Sequence, residues 1–257
     1  MTPPLITVKN LAVSFRGIEG TIDAVRDVSF RIPPGKTVSL VGESGSGKSV
    51  ISQAMMRILP RNGEITGGQI LFADPRAAPG EAPVDLAALN AASPKMRQIR
   101  GGRISMIFQE PMTSLSPLHT IGDQIGESYR LHTGADRAAA LARAREMLEL
   151  VGFPHPSRSH NTNPFELSGG LRQRAMIAMA LSCEPALLIA DEPTTALDVT
   201  IQEQVLDLIR DLTRTRRLAV LLITHDMGVV NHVADEVAVM YQGEIIEQAP
   251  AAEVFRN

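Results

Sequence analysis

The sequence predicts an α/β fold, with a core of buried parallel strands, antiparallel strands beside that core and an inserted α-helical part. Three short apolar runs support this prediction, at residues 37–41, 186–190 and 218–224. Each run is rich in Val, Ile and Leu and is followed by residues suited to a loop or a helix start, as in strands buried on both faces. Helical patterns separate the runs along the chain, which is typical of a parallel sheet covered by helices.

The elements around these runs can be taken in chain order. The opening stretch, residues 6–32, alternates in polarity and indicates antiparallel strands packed beside the core. Residues 73–95 are rich in Ala and Pro, which is typical of a surface insertion. Residues 237–247 have the pattern of a β-hairpin that turns at Gln242-Gly243.

The middle of the chain has helical patterns. Residues 136–150 are rich in Ala and Leu with interspersed charges, and a second helical pattern runs over residues 172–183. We therefore expect a single domain in which a helical subdomain, residues 113–183, is inserted into a core. That core would consist of residues 1–112 and 184–257 and would include the antiparallel strands.

Composition excludes several classes of protein. The 257 residues are 44% hydrophobic and 21% charged, as in ordinary globular domains, and the net charge of −3 offers no basic field for nucleic acid. Cys183 is the single cysteine, so no internal disulfide can form and a cysteine metal site is not expected. The start lacks the zones of a signal peptide, and no window approaches the roughly 18 apolar residues of a membrane helix. A cytosolic setting fits these features, and any role in transport would need a pore on another chain.

Residues 42–49, GESGSGKS, match the phosphate-binding P-loop pattern known as Walker A. Glycines allow backbone N–H groups to turn inward around phosphates, and the following helix adds its positive N-terminal end. Lys48 is expected to reach the β- and γ-phosphates of ATP, and the Ser49 hydroxyl to ligate Mg²⁺. The expected nucleotide contacts in this loop are Gly42, Glu43, Ser44, Gly45, Ser46, Gly47, Lys48 and Ser49. The apolar strand in front of the loop makes a chance glycine-rich turn the weaker interpretation.

Two carboxylates end the apolar run LLIADE at residues 187–192. In P-loop proteins a carboxylate at this position lies beside the phosphate loop and helps to hold Mg²⁺, which suits Asp191. A second carboxylate can accept a proton from the attacking water, which suits Glu192 and indicates ATP hydrolysis. The alternative interpretation is a solvated strand end or a helix N-cap.

The segment LSGGLRQR at residues 167–174 predicts a second anion-binding helix start. Ser168 is a good N-cap, and Gly169 and Gly170 expose the N–H groups at the positive end of the helix. A Ser-Gly-Gly helix start is common when it stands alone. Here it lies between the P-loop and the LLIADE run, and His225 follows farther along the chain.

In this order the motifs resemble those of ABC ATPases, and the resemblance covers essentially the whole chain. It implies a P-loop (RecA-like) core with an antiparallel β subdomain and an inserted α-helical subdomain. It also implies that a second ABC ATPase subunit, identical or different, meets this one head to tail. Each ATP would then lie between the P-loop of one subunit and Ser168, Gly169 and Gly170 of the other.

The resemblance implies roles for four further residues. Gln109 corresponds to the Q-loop glutamine that senses Mg²⁺ and the γ-phosphate and faces the permease. His225 corresponds to the switch histidine that contacts the γ-phosphate and helps to orient water. Asp198 corresponds to the D-loop residue at the dimer seam. Phe15 falls where the family has an aromatic residue that stacks on adenine, although it could equally be a core residue.

Longer stretches are similar to the ATPases of oligopeptide, dipeptide, glutathione and nickel importers. These stretches are 104–118, 171–185 and 186–201, together with the insertion before Met96. The similarity implies two transmembrane permease subunits, an indirect periplasmic or extracellular solute-binding protein, and a peripheral location on the cytoplasmic face of the plasma (inner) membrane. Members of this branch usually continue past the point where this chain stops, so functions of that extension are not carried over.

Two other functions compete with an importer motor. A soluble ABC ATPase acting on DNA or ribosomes typically carries long coiled-coil insertions or two cassettes with a charged linker, and neither pattern occurs in the sequence. A P-loop kinase would leave the LSGGLRQR segment and His225 without a role. Among importers, a non-peptide solute such as nickel stays open, because selectivity lies mainly in the permease and the solute-binding protein.

Overall fold

Two β-sheets and a set of helices make up the fold. The computed structural model describes residues 3–18, 20–108, 114–195 and 197–256. The strands are β1 (Ile6–Gly17), β2 (Gly20–Ile32), β3 (Thr37–Val41), β4 (Gly63–Phe72), β5 (Val84–Asp85), β6 (Ile104–Ile107), β7 (Leu187–Asp191), β8 (Ala219–Thr224), β9 (Glu236–Tyr241) and β10 (Glu244–Pro250). The helices are α1 (Lys48–Met56), α2 (Pro94–Ile99), α3 (Ile121–Thr133), α4 (Arg137–Leu150), α5 (Pro156–Ser159), α6 (Gly169–Leu181), α7 (Val199–Arg216), α8 (Met227–Val233) and α9 (Ala251–Val254).

The first sheet is antiparallel and the second is mainly parallel. The first has the strand order β2-β1-β4-β5, and the second has the order β10-β9-β3-β8-β7-β6. In the second sheet every neighbouring pair is parallel except β9 and β10, which form a hairpin. The carboxyl ends of β3, β7 and β8 therefore lie at one edge of the sheet, where side chains of the following loops can converge.

The parallel sheet is covered on both faces, which explains why its central strands are apolar along their whole length. One face contributes Val38, Leu40 and Ile189 to an apolar cluster with the first sheet and α1. The other face contributes residues such as Leu188 and Val220 to a second cluster, with α3, α4, α6 and α7. The helices α3 to α6, which lie in the chain between β6 and β7, are called the helical segment below.

Polar side chains fix the starts of most of the longer helices. Ser168 caps α6 by accepting a hydrogen bond from the Leu171 N–H, and Asp198 caps α7 by accepting one from the Ile201 N–H. Thr120 and Asp136 do the same for α3 and α4. Such caps satisfy backbone donors that the helix itself leaves without a partner.

The predicted fold class is confirmed. The strands expected at 37–41, 186–190 and 218–224 are present as β3, β7 and β8, the opening stretch forms the antiparallel pair β1 and β2, and the hairpin turns at Gln242 and Gly243. Two long elements, β4 and α7, lie outside those predictions. No helix in the described part is both long and apolar enough to cross a membrane.

Candidate functional site

The P-loop joins β3 to α1 and has a backbone path that requires glycine. Gly42, Gly45 and Gly47 have φ angles of 151°, 81° and 102°, in the region that side chains disfavour. A Cβ atom on Gly42 would lie 2.2 Å from the Met240 carbonyl oxygen, and one on Gly47 would lie 2.4 Å from the Ala24 carbonyl oxygen. The loop is therefore packed directly against the backbones of β9 and β2.

The start of α1 faces this loop without a side-chain cap. Its N-cap is Gly47, which has no side chain to accept a hydrogen bond from the first turn. Glu43, Ser44 and Gly45 form an exposed rim in front of that turn, and Ser46 is buried. An uncapped helix start with its positive dipole end is an anion-binding site, and phosphate fits it.

Lys48 spans the P-loop with its side chain. Its ammonium nitrogen Nζ donates to the carbonyl oxygens of Gly42 and Glu43, both at 2.8 Å. The residue is only 5% exposed, and this burial lowers the pKa of Lys48 although the nearby carboxylates of Glu192 and Asp191 act in the opposite direction. A positive charge is thus held at the point where phosphate oxygens would bind.

Asp191 at the end of β7 is held by two serines of α1. Its Oδ1 accepts a hydrogen bond from Ser49 Oγ at 3.0 Å, and its Oδ2 lies 3.4 Å from Ser52 Oγ. Burial raises the pKa of Asp191, while the two serine hydrogen bonds act to lower it. The Ser49 hydroxyl and the Asp191 carboxylate are hard oxygen donors of the type that Mg²⁺ prefers, so the residues present fit this ion.

Glu192 is oriented through both oxygens of its carboxylate. Its Oε1 lies 3.1 Å from His225 Nδ1, and its Oε2 accepts a hydrogen bond from Thr195 Oγ1 at 3.0 Å. The Glu192 backbone has a φ of 47°, a left-handed conformation that costs energy in a residue other than glycine. Its N–H donates to the Ile223 carbonyl at 2.9 Å, which holds this conformation against β8. A carboxylate aimed in this way can act as a general base.

A second group of predicted residues lies together around the starts of α6 and α7. A Cβ atom on Gly170 would meet Ile201 Cγ2 at 2.5 Å, and one on Gly169 would lie 3.7 Å from Leu197 Cδ2. Ser168 and Asp198 cap these two neighbouring helices. Within the described residues, no hydrogen bond or ion pair joins Ser168 or Asp198 to Lys48, Ser49, Asp191, Glu192 or His225.

Phe15 lies near the end of β1, opposite Ile22 of β2 and Gly63 of β4. Its ring is partly buried and covers Gly63, on which a Cβ atom would meet Phe15 Cε1 at 2.6 Å. Gln109 lies outside the described residues.

Two residues that support the site were not predicted. Ser52 bonds Asp191, and Thr195 bonds Glu192. Ser52 follows Ser49 by three residues on α1, so the two hydroxyls share one helix face, and this spacing is a usable signal. Thr195 follows Glu192 by three residues in a loop, where spacing alone does not show which way a side chain points.

Comparisons with known proteins identify the family of the chain. The sequence profile of the family described as "ABC transporter" matches residues 25–195. A Brucella melitensis relative named "Putative peptide import ATP-binding protein" is 53% identical over 255 residues, which cover 99% of this chain and 74% of the relative. The glutathione import ATP-binding protein GsiA of Escherichia coli is 49% identical over 251 residues, which cover 98% of this chain and 40% of that protein.

Solved structures show the same fold. The dimeric structure of MJ0796, described as a bacterial ABC transporter cassette, has a TM-score of 0.81 and 27% identity, with 96% of this chain and 98% of that chain covered. The cbiO1 subunit of the Clostridium perfringens ABC transporter complex cbiONQ has a TM-score of 0.79 and 25% identity, with 100% of this chain and 92% of that chain covered.

Proposed function

Because the chain belongs to the ABC transporter family, we propose that it is the ATP-binding and ATP-hydrolysing motor subunit of an importer for peptides or related small solutes. The observation that carries the proposal is the convergence of Lys48, Ser49, Asp191, Glu192 and His225 at one edge of the parallel sheet. The names of the relatives, which refer to peptide import and glutathione import, support the solute class.

The residues at this edge suit different roles in ATP hydrolysis. The P-loop backbone and Lys48 bind the β- and γ-phosphates, and the Ser49 hydroxyl and the Asp191 carboxylate hold Mg²⁺. When bound, this ion neutralises charge that develops on the phosphates. Glu192 accepts the proton of the attacking water. His225 holds Glu192 in position from its place after β8, and it is exposed enough to contact the γ-phosphate.

The residues around α6 and α7 are proposed to act on the nucleotide of a second subunit. Ser168, Gly169 and Gly170 present a helix start of the same anion-binding type as α1, yet they have no hydrogen bond to the described residues of the P-loop group. A head-to-tail pair, homodimeric or heterodimeric, would place this start against the partner's ATP, with Asp198 at the seam. Phe15 is proposed to stack on the adenine of the chain's own nucleotide.

The membrane partners follow from an importer role. We infer two transmembrane permease subunits, a solute-binding protein that acts indirectly, and a peripheral position on the cytoplasmic face of the membrane. Gln109 and the residues up to about 135 are proposed to face the permease, and residues 113–183 are proposed to form the helical subdomain that transmits movement to it. Importers of a non-peptide solute such as nickel would use the same machinery.

Co-purification tests the transport role directly. The chain is co-expressed with the membrane genes that neighbour its own gene, and the complex is isolated in detergent and reconstituted in vesicles. We expect the permease subunits to co-purify and the vesicles, supplied with the solute-binding protein, to take up peptide only with ATP, while the Glu192→Gln complex assembles without uptake. Active ATPase that never associates with a membrane subunit would instead support a soluble, non-transport ABC ATPase.

A further inference from the structure

A large cavity lies at the edge of the parallel sheet opposite the P-loop. It has a volume of about 860 Å³ and is lined by residues that immediately precede strands, among them Arg103 before β6, Ala186 before β7 and Leu218 before β8. The P-loop and Glu192 follow the other ends of such strands. With five residues in β7, the two edges are roughly 15 Å apart, so this cavity is separate from the proposed nucleotide site.

Buried apolar side chains from two parts of the molecule form the walls of the cavity. Met147 and Leu181 come from the helical segment. Leu212 comes from α7, and Leu5 and Leu218 immediately precede β1 and β8. Each of these five side chains is buried. A cavity of this size with mainly apolar walls is typical of a site for a small organic ligand.

The charged groups at the cavity are mostly cationic. Four arginines line it, with one carboxylate, that of Glu184: the arginines are Arg76, Arg103, Arg216 and Arg217. Arg103 is bound by the Asp74 carboxylate, and Arg76 donates to the Glu184 carbonyl oxygen at 3.1 Å. Arg216 and Arg217, at the end of α7, have no side-chain hydrogen bond or ion pair with any residue that the structure describes.

We propose that this cavity binds an amphipathic anion. Its apolar body would lie against the leucine and methionine walls. Its carboxylate, sulfonate or phosphate head would accept hydrogen bonds from the guanidinium groups of Arg216 and Arg217, whose planar geometry suits bidentate binding of such oxyanions. The proposal concerns this chain alone and does not rest on a role in transport.

Fluorescence of 8-anilinonaphthalene-1-sulfonate, an apolar ring system with one sulfonate, tests the proposal on the full chain. Saturating ADP keeps the probe out of the nucleotide site. We expect one saturable site, and at least tenfold weaker binding by the variant that combines Arg216→Gln with Arg217→Asn, since Asn tolerates the left-handed backbone of Arg217. The matched control is Arg214→Gln, an exposed arginine of the same helix turn that does not line the cavity, and it should bind the probe like the natural chain.

Two further measurements locate the probe and identify the head group. Leu150→Trp fills the cavity from its partly exposed wall and should abolish binding with all arginines in place. The uncharged analogue N-phenyl-1-naphthylamine should bind more weakly, with an affinity that the arginine substitutions do not change. Equal binding of the sulfonate by the arginine variant, or unchanged binding by a folded Leu150→Trp variant, would overturn the proposal. Circular dichroism and thermal unfolding establish that each variant is folded.

Discussion

Asp191 and Glu192 are adjacent in the chain, but their carboxylates have different surroundings. Asp191 is 7% exposed and bonded to serine hydroxyls, whereas Glu192 lies beside the exposed His225 at the mouth of the site. The change of direction between them comes from the left-handed backbone of Glu192. This difference in environment fits the proposed roles, Asp191 as a metal-binding acid and Glu192 as a proton acceptor, as in other enzymes with paired carboxylates.

Glu192→Gln tests the proposed general base. Glutamine keeps the size of the side chain and can still bond Thr195, but it cannot accept a proton, so ATP hydrolysis should fall by about 10²-fold or more. ATP binding should persist, which would favour an ATP-bound dimer. Phosphate release and size-exclusion chromatography measure the two effects. The control is Glu203→Gln on the exposed face of α7, and near-normal turnover by the Glu192→Gln chain would contradict the assignment.

The raised pKa of Asp191 predicts a pH-dependent stability in the absence of nucleotide and Mg²⁺. Between the ordinary Asp pKa of about 3.9 and the raised folded value, the folded chain binds more protons than the unfolded chain, so stability falls as pH rises through that window. At any pH above the raised folded value, the cost of burying the charge is fully present. Asp191→Asn should therefore raise the melting temperature at pH 7, by about 2–4 °C for each kcal/mol regained, and the gain should shrink towards pH 4.

Calorimetry at the two pH values, with the exposed Asp211→Asn as control, checks this prediction. If Asp191→Asn lowered the melting temperature equally at both pH values, the serine hydrogen bonds would outweigh the burial of the charge.

Some residues of this site could be predicted from the sequence and others could not, for a physical reason. Lys48, Ser49 and Asp191 lie in patterns whose spacing is set by the phosphate chemistry, so the pattern alone picks them out, and the structure places them together. Thr195 has no such pattern, because a threonine in a polar loop is usually solvated. Its bond to Glu192 depends on the left-handed turn, which a single sequence does not show.

At the scale of elements, the P-loop packs tightly between the backbones of two strands, β2 and β9. Gly47 meets Ala24 of β2, whereas a Cβ atom on Gly45 would meet nothing within 4 Å. Both glycines have positive φ angles. A side chain at Gly45 would therefore cost only the free energy of the left-handed backbone. One at Gly47 would add the free energy of a steric clash with β2.

Alanine substitutions at the two glycines exploit that difference. Gly45→Ala should lower the free energy of unfolding by about 1–2 kcal/mol, the cost of a left-handed backbone. Gly47→Ala should lower it further and weaken ATP binding, because its Cβ would displace the Ala24 carbonyl of β2. Denaturant unfolding without nucleotide measures both variants. Equal destabilisation would mean that the P-loop can shift to accept the Cβ atom and is not tightly packed against β2.

The two elements that were not predicted, β4 and α7, have local sequences that do not favour the structure they adopt. β4 contains Gly67 and Gly68, which weaken a strand signal, and Gly68 is needed because the Asn10 carbonyl of an irregular part of β1 lies against it. α7 starts with three β-branched residues, Val199, Thr200 and Ile201, which favour strands. Its start is instead decided by the Asp198 cap. The short apolar strands were predictable because their burial on both faces leaves little choice of residue.

At the scale of the whole molecule, the chain has two helix starts that are proposed to bind anions, those of α1 and α6, and no hydrogen bond between described residues joins their groups. That arrangement favours a composite site completed by a partner. Neither the sequence pattern nor the structure of a single chain contains the partner, so the head-to-tail pairing depends on the family resemblance.

Ser168→Arg tests the pairing. The larger, charged side chain should leave ATP binding by one chain unchanged, since Ser168 is not bonded to the P-loop group, but it should prevent closure of the dimer. In the Glu192→Gln background, ATP should produce a dimer that Ser168→Arg eliminates. Ser157→Arg, an exposed serine of α5, is the matched control. Full ATPase activity in a Ser168→Arg single variant would exclude the composite site.

The pairing of β3 has a consequence for how the protein is made. This strand leads into the P-loop near the start of the chain, but its neighbours in the sheet are β8 and β9, and the Gly243 N–H donates to the Ser46 carbonyl at 3.1 Å. Contacts so distant in sequence are slow to form, because the entropy of closing the long loop opposes them. During synthesis the Walker A residues, which end at Ser49, leave the ribosome well before β8 and β9, which start at Ala219 and Glu236. We therefore expect a chain that ends before β8 and β9 to lack the backbone contacts that hold the P-loop in its ATP-binding conformation.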